Sequence, residues 1–247
     1  MLKALIFDVD GTLAETEDLH RQAFNRAFAM LGLPWTWDAG LYADLLAVMG
    51  GKERLAHYIA TRHADAAPLR ARIAEIHDLK THIYGRLVAD GALALRPGIA
   101  RLVAEARSTG VLLAVATTTS RPNVDSLIAV NFPAGDRPFD VIASGDEAAR
   151  KKPAPDIFDL AVRRLGIAAS EAIAFEDSAA GIRSALDAGL PVLATRSRYT
   201  GSHRLDGAFS AVSDLGEPGR PHRHIRGATW PDGVVTLAAL KDWHATA

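Results

Sequence analysis

The chain has 247 residues, more than the roughly 150 of an average domain, so one elaborated domain and a domain with an inserted module are both open. It contains 28 Lys and Arg against 29 Asp and Glu, which argues against nucleic acid or an anionic membrane as a partner. The absence of cysteine excludes disulfides, thiolate catalysis and cysteine-bound zinc.

The N-terminal apolar run, residues 2–7, is interrupted by Lys3 and stops at Asp8. It is too short for the core of a signal peptide or for a membrane span. We therefore expect a cytoplasmic protein with neither a membrane nor a nucleic-acid partner, and we expect a monomer.

Short apolar runs that favour β-strands alternate with helical patterns along most of the chain. These runs are residues 4–7, 111–116, 139–143, 172–175 and 191–194. Such alternation indicates a parallel sheet with crossover helices. After Thr195 the pattern weakens, and it recovers only at residues 233–235 and in a short helix that begins near Thr236.

The stretch between the first run and the second contains no convincing strand. Helical stripes dominate it: Leu19, Ala23, Ala27 and Leu31 recur on one face, and a longer stripe covers residues 69–88. We therefore predict an α/β fold, a doubly wound Rossmann-like parallel sheet formed by residues 1–15 and 91–247, with an inserted α-helical module at residues 16–90.

Two pairs of carboxylates follow predicted strands. Asp8 and Asp10 lie in FDVDGTL, residues 7–13, and Glu176 and Asp177 lie in FEDSAAGI, residues 175–182. A single Asp-x-Asp-Gly is most often an ordinary turn. Because ligands bind at the carboxyl ends of parallel strands, however, the two pairs face each other in this fold and would hold a hard divalent cation.

Hydroxyl and basic groups follow two further strands. Thr117, Thr118 and Arg121 lie in the segment between residues 111–116 and the next helix, and Lys152 precedes Pro153. Each segment has a plain structural explanation, as helix-capping hydroxyls or as surface lysines. All four segments nevertheless fall on the same edge of the predicted sheet, where hydroxyls and N–H groups at a helix start suit a phosphate.

The order Asp-x-Asp-Gly-Thr-Leu, Thr after a strand, Lys-Pro and Glu-Asp-Ser resembles the haloacid dehalogenase superfamily across residues 7–182. The helical module looks like that family's small α-helical cap, and KKPAPDIF and FEDSAAGI match the β-phosphoglucomutase-like subgroup. AVATTTSR, YTG at residues 199–201 and GAFSAVSDLGEP are similar to CbbY-type xylulose-1,5-bisphosphate phosphatases, which remove an inhibitor of Rubisco.

The resemblance implies a phosphoric monoester hydrolase that forms an aspartyl-phosphate intermediate. Asp8 would be the nucleophile and Asp10 the general acid and base. Thr117 and Lys152 would hold the oxygens of the transferred phosphoryl group.

The resemblance also implies Mg²⁺ as the cofactor. Its ligands would be Asp8, the backbone carbonyl of Asp10, and Asp177, with Glu176 assisting directly or through water. A sugar phosphate would be the small-molecule partner, and xylulose 1,5-bisphosphate the leading substrate, hydrolysed to xylulose 5-phosphate. The residues expected to bind the sugar are Glu17, His20, Lys52 and Lys80 from the cap, with Thr118 and Arg121 from the core.

Three alternatives remain at this point. A phosphomutase would share Asp8, Asp10 and the metal but return the phosphate to the sugar. A binding protein on the same scaffold would be expected to have lost a nucleophile, an acid/base or a metal ligand, and Asp8, Asp10, Lys152 and Asp177 are all present. A dehalogenase is the third alternative, but its chemistry needs no magnesium and would give Asp10 and Asp177 no role.

Overall fold

A computed structural model describes residues 1–201 and 203–246, and the side chains of these residues except 64–67 and 92. Its centre is a seven-stranded sheet. The strands are β1 (Ala4–Phe7), β2 (Leu112–Ala116), β3 (Val141–Ala143), β4 (Ala172–Glu176), β5 (Val192–Thr195), β6 (Ser210–Val212) and β7 (His224–Gly227). Their order is β3-β2-β1-β4-β5-β6-β7, parallel throughout except for the antiparallel pair β6 and β7.

The α-helices of the described residues fall into two groups. Those between β1 and β2 that build the module are α1 (Glu17–Met30), α2 (Ala39–Leu45), α3 (Gly51–Arg62) and α4 (Ile73–Leu87). Those that accompany the sheet are α5 (Ile99–Ser108), α6 (Arg121–Asn131), α7 (Asp156–Leu165), α8 (Ala179–Asp187) and α9 (Leu237–Thr246). None of the helices within residues 1–201 and 203–246 has the length and apolar character that crossing a bilayer requires.

Alternate side chains of each central strand enter different hydrophobic clusters. Leu5 and Phe7 of β1 pack with α5, α6 and α9, whereas Ala4 and Ile6 pack with α7 and α8. A strand that is buried on both faces reads as a continuous apolar run, and β1 is buried at every position. Helices thus cover both faces of a mostly parallel sheet, which confirms the predicted doubly wound fold class.

The predicted strands all exist, with bounds that differ from the prediction by at most two residues. The prediction missed β6 and β7. Residues 233–235 do not form a strand, because a short 3₁₀ turn, Pro231–Gly233, ends at the first of them. β6 has only three residues, and β7 is a largely exposed edge strand with the sequence HIRG. Neither offers the apolar run by which buried strands are recognised.

The helical module has its own aromatic cluster. Phe24, Phe28, Trp35, Trp37 and Tyr58 pack together with aliphatic residues of α3 and α4. The hydrophobic cluster of the sheet takes in other residues of the module, Ala23 and Ala27 of α1 and Ile83, Tyr84 and Leu87 of α4. The module therefore packs on the core through these residues and also has a buried interior of its own.

The chain passes between core and module at two adjacent points. Ala14 and Leu95 form an isolated antiparallel bridge, and the backbone N–H of Arg96 donates to the carbonyl of Leu13 at 2.8 Å. The long predicted helical stripe, residues 69–88, is divided before Ile73, because a 3₁₀ segment, Ala64–Arg72, precedes α4.

Candidate active site

The acidic side chains lie at the carboxyl ends of two adjacent strands. Asp8 follows β1, Glu176 ends β4 and Asp177 comes next, and Phe7 pairs with Phe175 in the register of the two strands. The three carboxylates are buried, and each offers an oxygen within 4.8 Å of the others. The structure therefore brings Asp8, Glu176 and Asp177 together at one edge of the sheet, whereas their roles stay predictions.

Lys152 is the cation beside this cluster. Its Nζ donates to Asp8 Oδ1 at 2.7 Å, to Glu176 Oε1 at 2.5 Å and to the carbonyl of Ala116 at 3.0 Å. Burial acts to lower the pKa of Lys152, but the charges of Asp8 and Glu176 outweigh it and raise that pKa. The ammonium therefore stays charged inside the protein.

One lysine does not balance three buried carboxylates. Burial raises the pKa of Asp8 to about 8, with Lys152 opposing the shift and Glu176 adding to it. Burial and the charges of Glu176 and Asp8 also raise the pKa of Asp177. A cluster of buried carboxylate oxygens with excess negative charge is a donor set that fits a hard divalent cation such as Mg²⁺.

Asp10 is turned away from this cluster toward the module. Its Oδ1 accepts hydrogen bonds from the hydroxyl of Thr16 at 2.5 Å and from His20 Nε2 at 3.0 Å. Lys80 Nζ donates to His20 Nδ1 at 2.9 Å. Because Nδ1 accepts from an ammonium, the neutral imidazole carries its proton on Nε2 and donates to Asp10.

The charges along this chain of contacts follow from burial and from neighbours. Burial and the nearby Lys80 lower the pKa of His20, and burial lowers that of Lys80 to about 8. Burial would raise the pKa of Asp10, but His20 and Thr16 lower it to about 2. Asp10 is accordingly ionised in this arrangement, the state in which a carboxylate accepts a proton.

The hydroxyl segment after β2 reaches the same edge. The backbone N–H of Thr117 donates to the carbonyl of Ala143, and its buried Oγ1 accepts from the N–H of Thr119 at 3.2 Å. Thr118 lines the cleft, as the sequence predicts for a substrate-binding position.

Arg121 departs from the prediction. It opens α6, and its Nε donates to Asp125 one helical turn later at 2.8 Å, with half of the side chain exposed. Arg121 is not among the residues that line the cleft. The physical reason is the i, i+4 ion pair with Asp125, which holds the Arg121 side chain on an exposed face of its own helix.

The cleft lies between the module and the carboxyl edge of the sheet and has a volume of about 280 Å³. Glu17, His20, Lys52 and Lys80 all line it, as predicted, together with Asp8 and Asp10. Lys52 stands at the rim, half exposed, with its Nζ 3.4 Å from Asp146 Oδ1 of the core. These four residues therefore lie at the cleft, whereas their contact with a substrate stays a prediction.

Sequence reasoning missed two residues beside Glu17. Tyr42 donates its hydroxyl proton to Glu17 Oε2 at 2.7 Å, and Arg54 donates to the Tyr42 oxygen at 3.0 Å. Arg54 is buried and lines the cleft. The available signal was its place in α3 four residues before the buried Tyr58, a charged residue on an apolar stripe.

Comparison with protein families gives a match to the haloacid dehalogenase-like hydrolase model over residues 2–189. The chain belongs to the haloacid dehalogenase-like hydrolase family. The matched region contains the buried Asp8, Lys152 and Asp177, and it ends just after α8. The strands and helix that follow, β5, β6, β7 and α9, lie beyond the region matched.

The chain is similar to proteins that cover between 76% and 98% of its length. The plasmid protein CbbY of Cupriavidus necator is 45% identical over 98% of this chain and 97% of its own. A crystal structure of a CbbY variant from Rhodobacter sphaeroides in complex with xylulose-(1,5)bisphosphate has a TM-score of 0.82 and 49% identity, covering 87% of this chain and 95% of that one. A phosphorylated carbohydrates phosphatase of Thermotoga maritima is 29% identical over 76% of this chain and 82% of its own.

Proposed function

We propose that this protein is a Mg²⁺-dependent phosphatase that hydrolyses a sugar bisphosphate, with xylulose 1,5-bisphosphate as the leading substrate and xylulose 5-phosphate as the product. The observation that carries the proposal is the buried carboxylate group of Asp8, Glu176 and Asp177, which lines a cleft about 280 Å³ in volume. The buried Lys152 donates to Asp8 beside this group. The likeness to a CbbY structure that holds this bisphosphate supports the choice of substrate.

The proposed reaction has two transfers. A carboxylate oxygen of Asp8 attacks phosphorus, the bond from phosphorus to the sugar oxygen breaks, and that oxygen takes the proton of Asp10, which enters this step in its protonated form. Asp10 then removes a proton from water, whose oxygen attacks the aspartyl-phosphate and releases inorganic phosphate and the Asp8 carboxylate. The hydrogen bonds from Thr16 and His20, which favour ionised Asp10, suit this second step.

Asp8, Glu176 and Asp177, with the backbone carbonyl of Asp10, would hold the cation. A bound Mg²⁺ supplies positive charge against the carboxylates and the phosphate dianion. Lys152 keeps its ammonium against Asp8, where it would also meet a phosphoryl oxygen, and Thr117 would add its hydroxyl there.

The module, which we propose spans residues 16–90 as a cap on the core of residues 1–15 and 91–247, would select the sugar. Glu17, His20 and Lys80 offer it hydrogen-bonding groups in the interior of the cleft, and Thr118 faces them from the core. Lys52 at the rim would suit a second phosphate, since an ammonium on a flexible stem binds phosphate as a point charge. A bisphosphate needs both such regions.

The test is release of inorganic phosphate from a panel of sugar mono- and bisphosphates, with and without Mg²⁺, for the wild type and Asp8→Asn. We expect preferential release from xylulose 1,5-bisphosphate that requires Mg²⁺ and falls at least about 10³-fold in the variant. Isomerised sugar phosphate without net phosphate would identify a phosphomutase instead. No turnover with any substrate would favour the binding protein.

A further inference from the structure

The turn that follows β5 brings two buried hydroxyls to Asp177. Ser197 Oγ donates to Asp177 Oδ2 at 2.6 Å, and Ser197 and Thr200 are each 6% exposed. The two hydroxyl oxygens lie 2.8 Å apart. This turn contains the segment YTG, residues 199–201, for which the proposed catalytic steps have no use.

The hydrogen bonds of the turn have one consistent direction. Ser197 Oγ–H is committed to the Asp177 carboxylate, so the hydroxyl of Thr200 must donate to Ser197 Oγ. Thr200 Oγ1 in turn accepts from the backbone N–H of Ser197 at 3.0 Å, and Ser197 Oγ also accepts from the N–H of Thr200 at 3.3 Å. The Ser197 proton is therefore held toward Asp177 rather than free to rotate.

The loop that carries Asp8 and Asp10 approaches the same oxygen of Asp177 at Gly11. A Cβ at Gly11 would lie 2.1 Å from Asp177 Oδ2 and 2.9 Å from Ser197 Cβ, so only glycine leaves room for this contact. Gly11 also has a φ of 79°, in the left-handed region that glycine tolerates. The loop that carries Asp8 and Asp10 thus packs directly against the contact between Ser197 and Asp177.

The buried Arg96 connects the loop at Gly11 with the turn that contains Ser197. Its guanidinium donates to the carbonyl of Gly11 and, at 2.7 Å, to the carbonyl of Arg196, the residue before Ser197. It also donates to the carbonyl of Ser213 at the end of β6. One planar side chain therefore fixes the distance between the Gly11 loop and the turn after β5.

We propose that Ser197, held by Thr200, is a positioning residue that orients the Asp177 carboxylate for the divalent cation. The inference rests on the proposed metal site and adds to it two residues beyond the family's matched region, which ends at residue 189. By occupying Oδ2, the Ser197 hydroxyl directs the other carboxylate oxygen to the cation. Outer partners of this kind typically change metal affinity by about 10- to 100-fold.

The experiment is isothermal titration calorimetry of the whole chain with Mg²⁺, accompanied by urea unfolding of each variant. Ser197→Ala removes the donor to Asp177, and we expect its Kd for Mg²⁺ to rise at least about 10-fold. Thr200→Val removes the support of that donor and should raise the Kd less, whereas Thr200→Ser keeps a hydroxyl and should stay near the wild-type value. The Thr200 pair decides the question if Ser197→Ala does not fold.

The matched control is Ser210→Ala. Ser210 is equally buried, donates to the carbonyl of Ala228 at 2.8 Å and accepts from Trp230 Nε1 at 2.9 Å, but it lies in β6 away from the cluster. It should lose stability and keep the wild-type Kd. Wild-type affinity in both Ser197→Ala and Thr200→Val would overturn the positioning role alone. A wild-type chain that binds no Mg²⁺ would overturn this role together with the proposed metal site.

Discussion

Two buried lysines at the candidate site show how neighbouring groups set the pKa of a lysine side chain. Both lose solvation, which lowers a lysine pKa. Lys152 faces Asp8 and Glu176 and ends with a raised pKa, whereas Lys80, with Asp10 beyond His20 and Arg54 nearby, falls to about 8. Lys152 is thus a permanent charge at the site, and Lys80 titrates close to neutrality.

His77 should make the stability of the protein fall on acidification. Burial, Lys80 and Lys52 lower its pKa from 6.5 to about 3. Below pH 6.5 the unfolded chain binds this proton and the folded chain does not, so unfolding is favoured as the pH falls toward 3. At pH 5.5 this lowers the free energy of unfolding by about 1 kcal/mol. Urea unfolding at pH 7.5 and 5.5 measures the loss, and we expect His77→Gln to remove most of it.

The control for this prediction is His57→Gln, which removes an exposed imidazole from α3. Its difference in stability between the two pH values should match that of the wild type. If His77→Gln retained the full wild-type difference, the burial of His77 would not be a source of acid sensitivity.

At the scale of elements, α5 shows how two glycines with similar backbones differ in their surroundings. Gly98 before the helix has a φ of 84° and Gly110 after it has a φ of 71°. The N–H of Gly98 donates to Glu217 Oε1 at 2.8 Å. A Cβ at Gly98 would lie 2.5 Å from Leu215 Cβ and 2.7 Å from the carbonyl oxygen of Gly216, whereas a Cβ at Gly110 meets nothing within 4 Å.

Gly98→Ala should therefore destabilise the protein much more than Gly110→Ala. Both substitutions place a side chain in the left-handed region, which costs about 1 kcal/mol. Only Gly98→Ala adds a collision with backbone that has no room to move, for a total of at least about 3 kcal/mol. Urea unfolding midpoints measure the pair, and equal losses would show that the contact with residues 215–216 is not tight.

At the scale of the whole molecule, the separate aromatic cluster of the module indicates two units of local stability. Ile59 is fully buried in this cluster, away from the clusters that flank the sheet. The sequence predicts a division of the chain into a cap and a core, and the separate clusters allow that prediction to be tested.

Ile59→Ala should loosen the cap and leave the sheet intact. Truncation of a buried isoleucine costs about 2–5 kcal/mol, and that cost should appear where the cluster is local. In native-state hydrogen exchange we expect faster exchange throughout α2 and α3 and unchanged exchange in β1, β2 and β4. Equal acceleration in strands and cap would mean that the molecule unfolds as one unit, against the proposed domain division.

The sequence by itself determined the fold class, the buried strands and the convergence of Asp8, Lys152, Glu176 and Asp177, because apolar runs and strand-end residues are local signals and the carboxyl ends of parallel strands share one edge. It also placed Glu17, His20, Lys52 and Lys80 at the cleft. It did not find Arg54, Arg96 or the Ser197–Thr200 pair, and it expected Arg121 in a cleft that this side chain does not line.

One physical reason explains why the sequence does not reveal these residues. Each contacts partners more than eight positions away in the sequence. Arg54 donates to Tyr42, and Arg96 donates to carbonyls of three separate segments. Ser197, in the irregular turn after β5, donates to Asp177 after the neighbouring strand β4. No periodicity encodes such contacts. Only the packing of the strands brings them together, and only tertiary structure decided whether an arginine would find its carboxylate in the cleft or on its own helix.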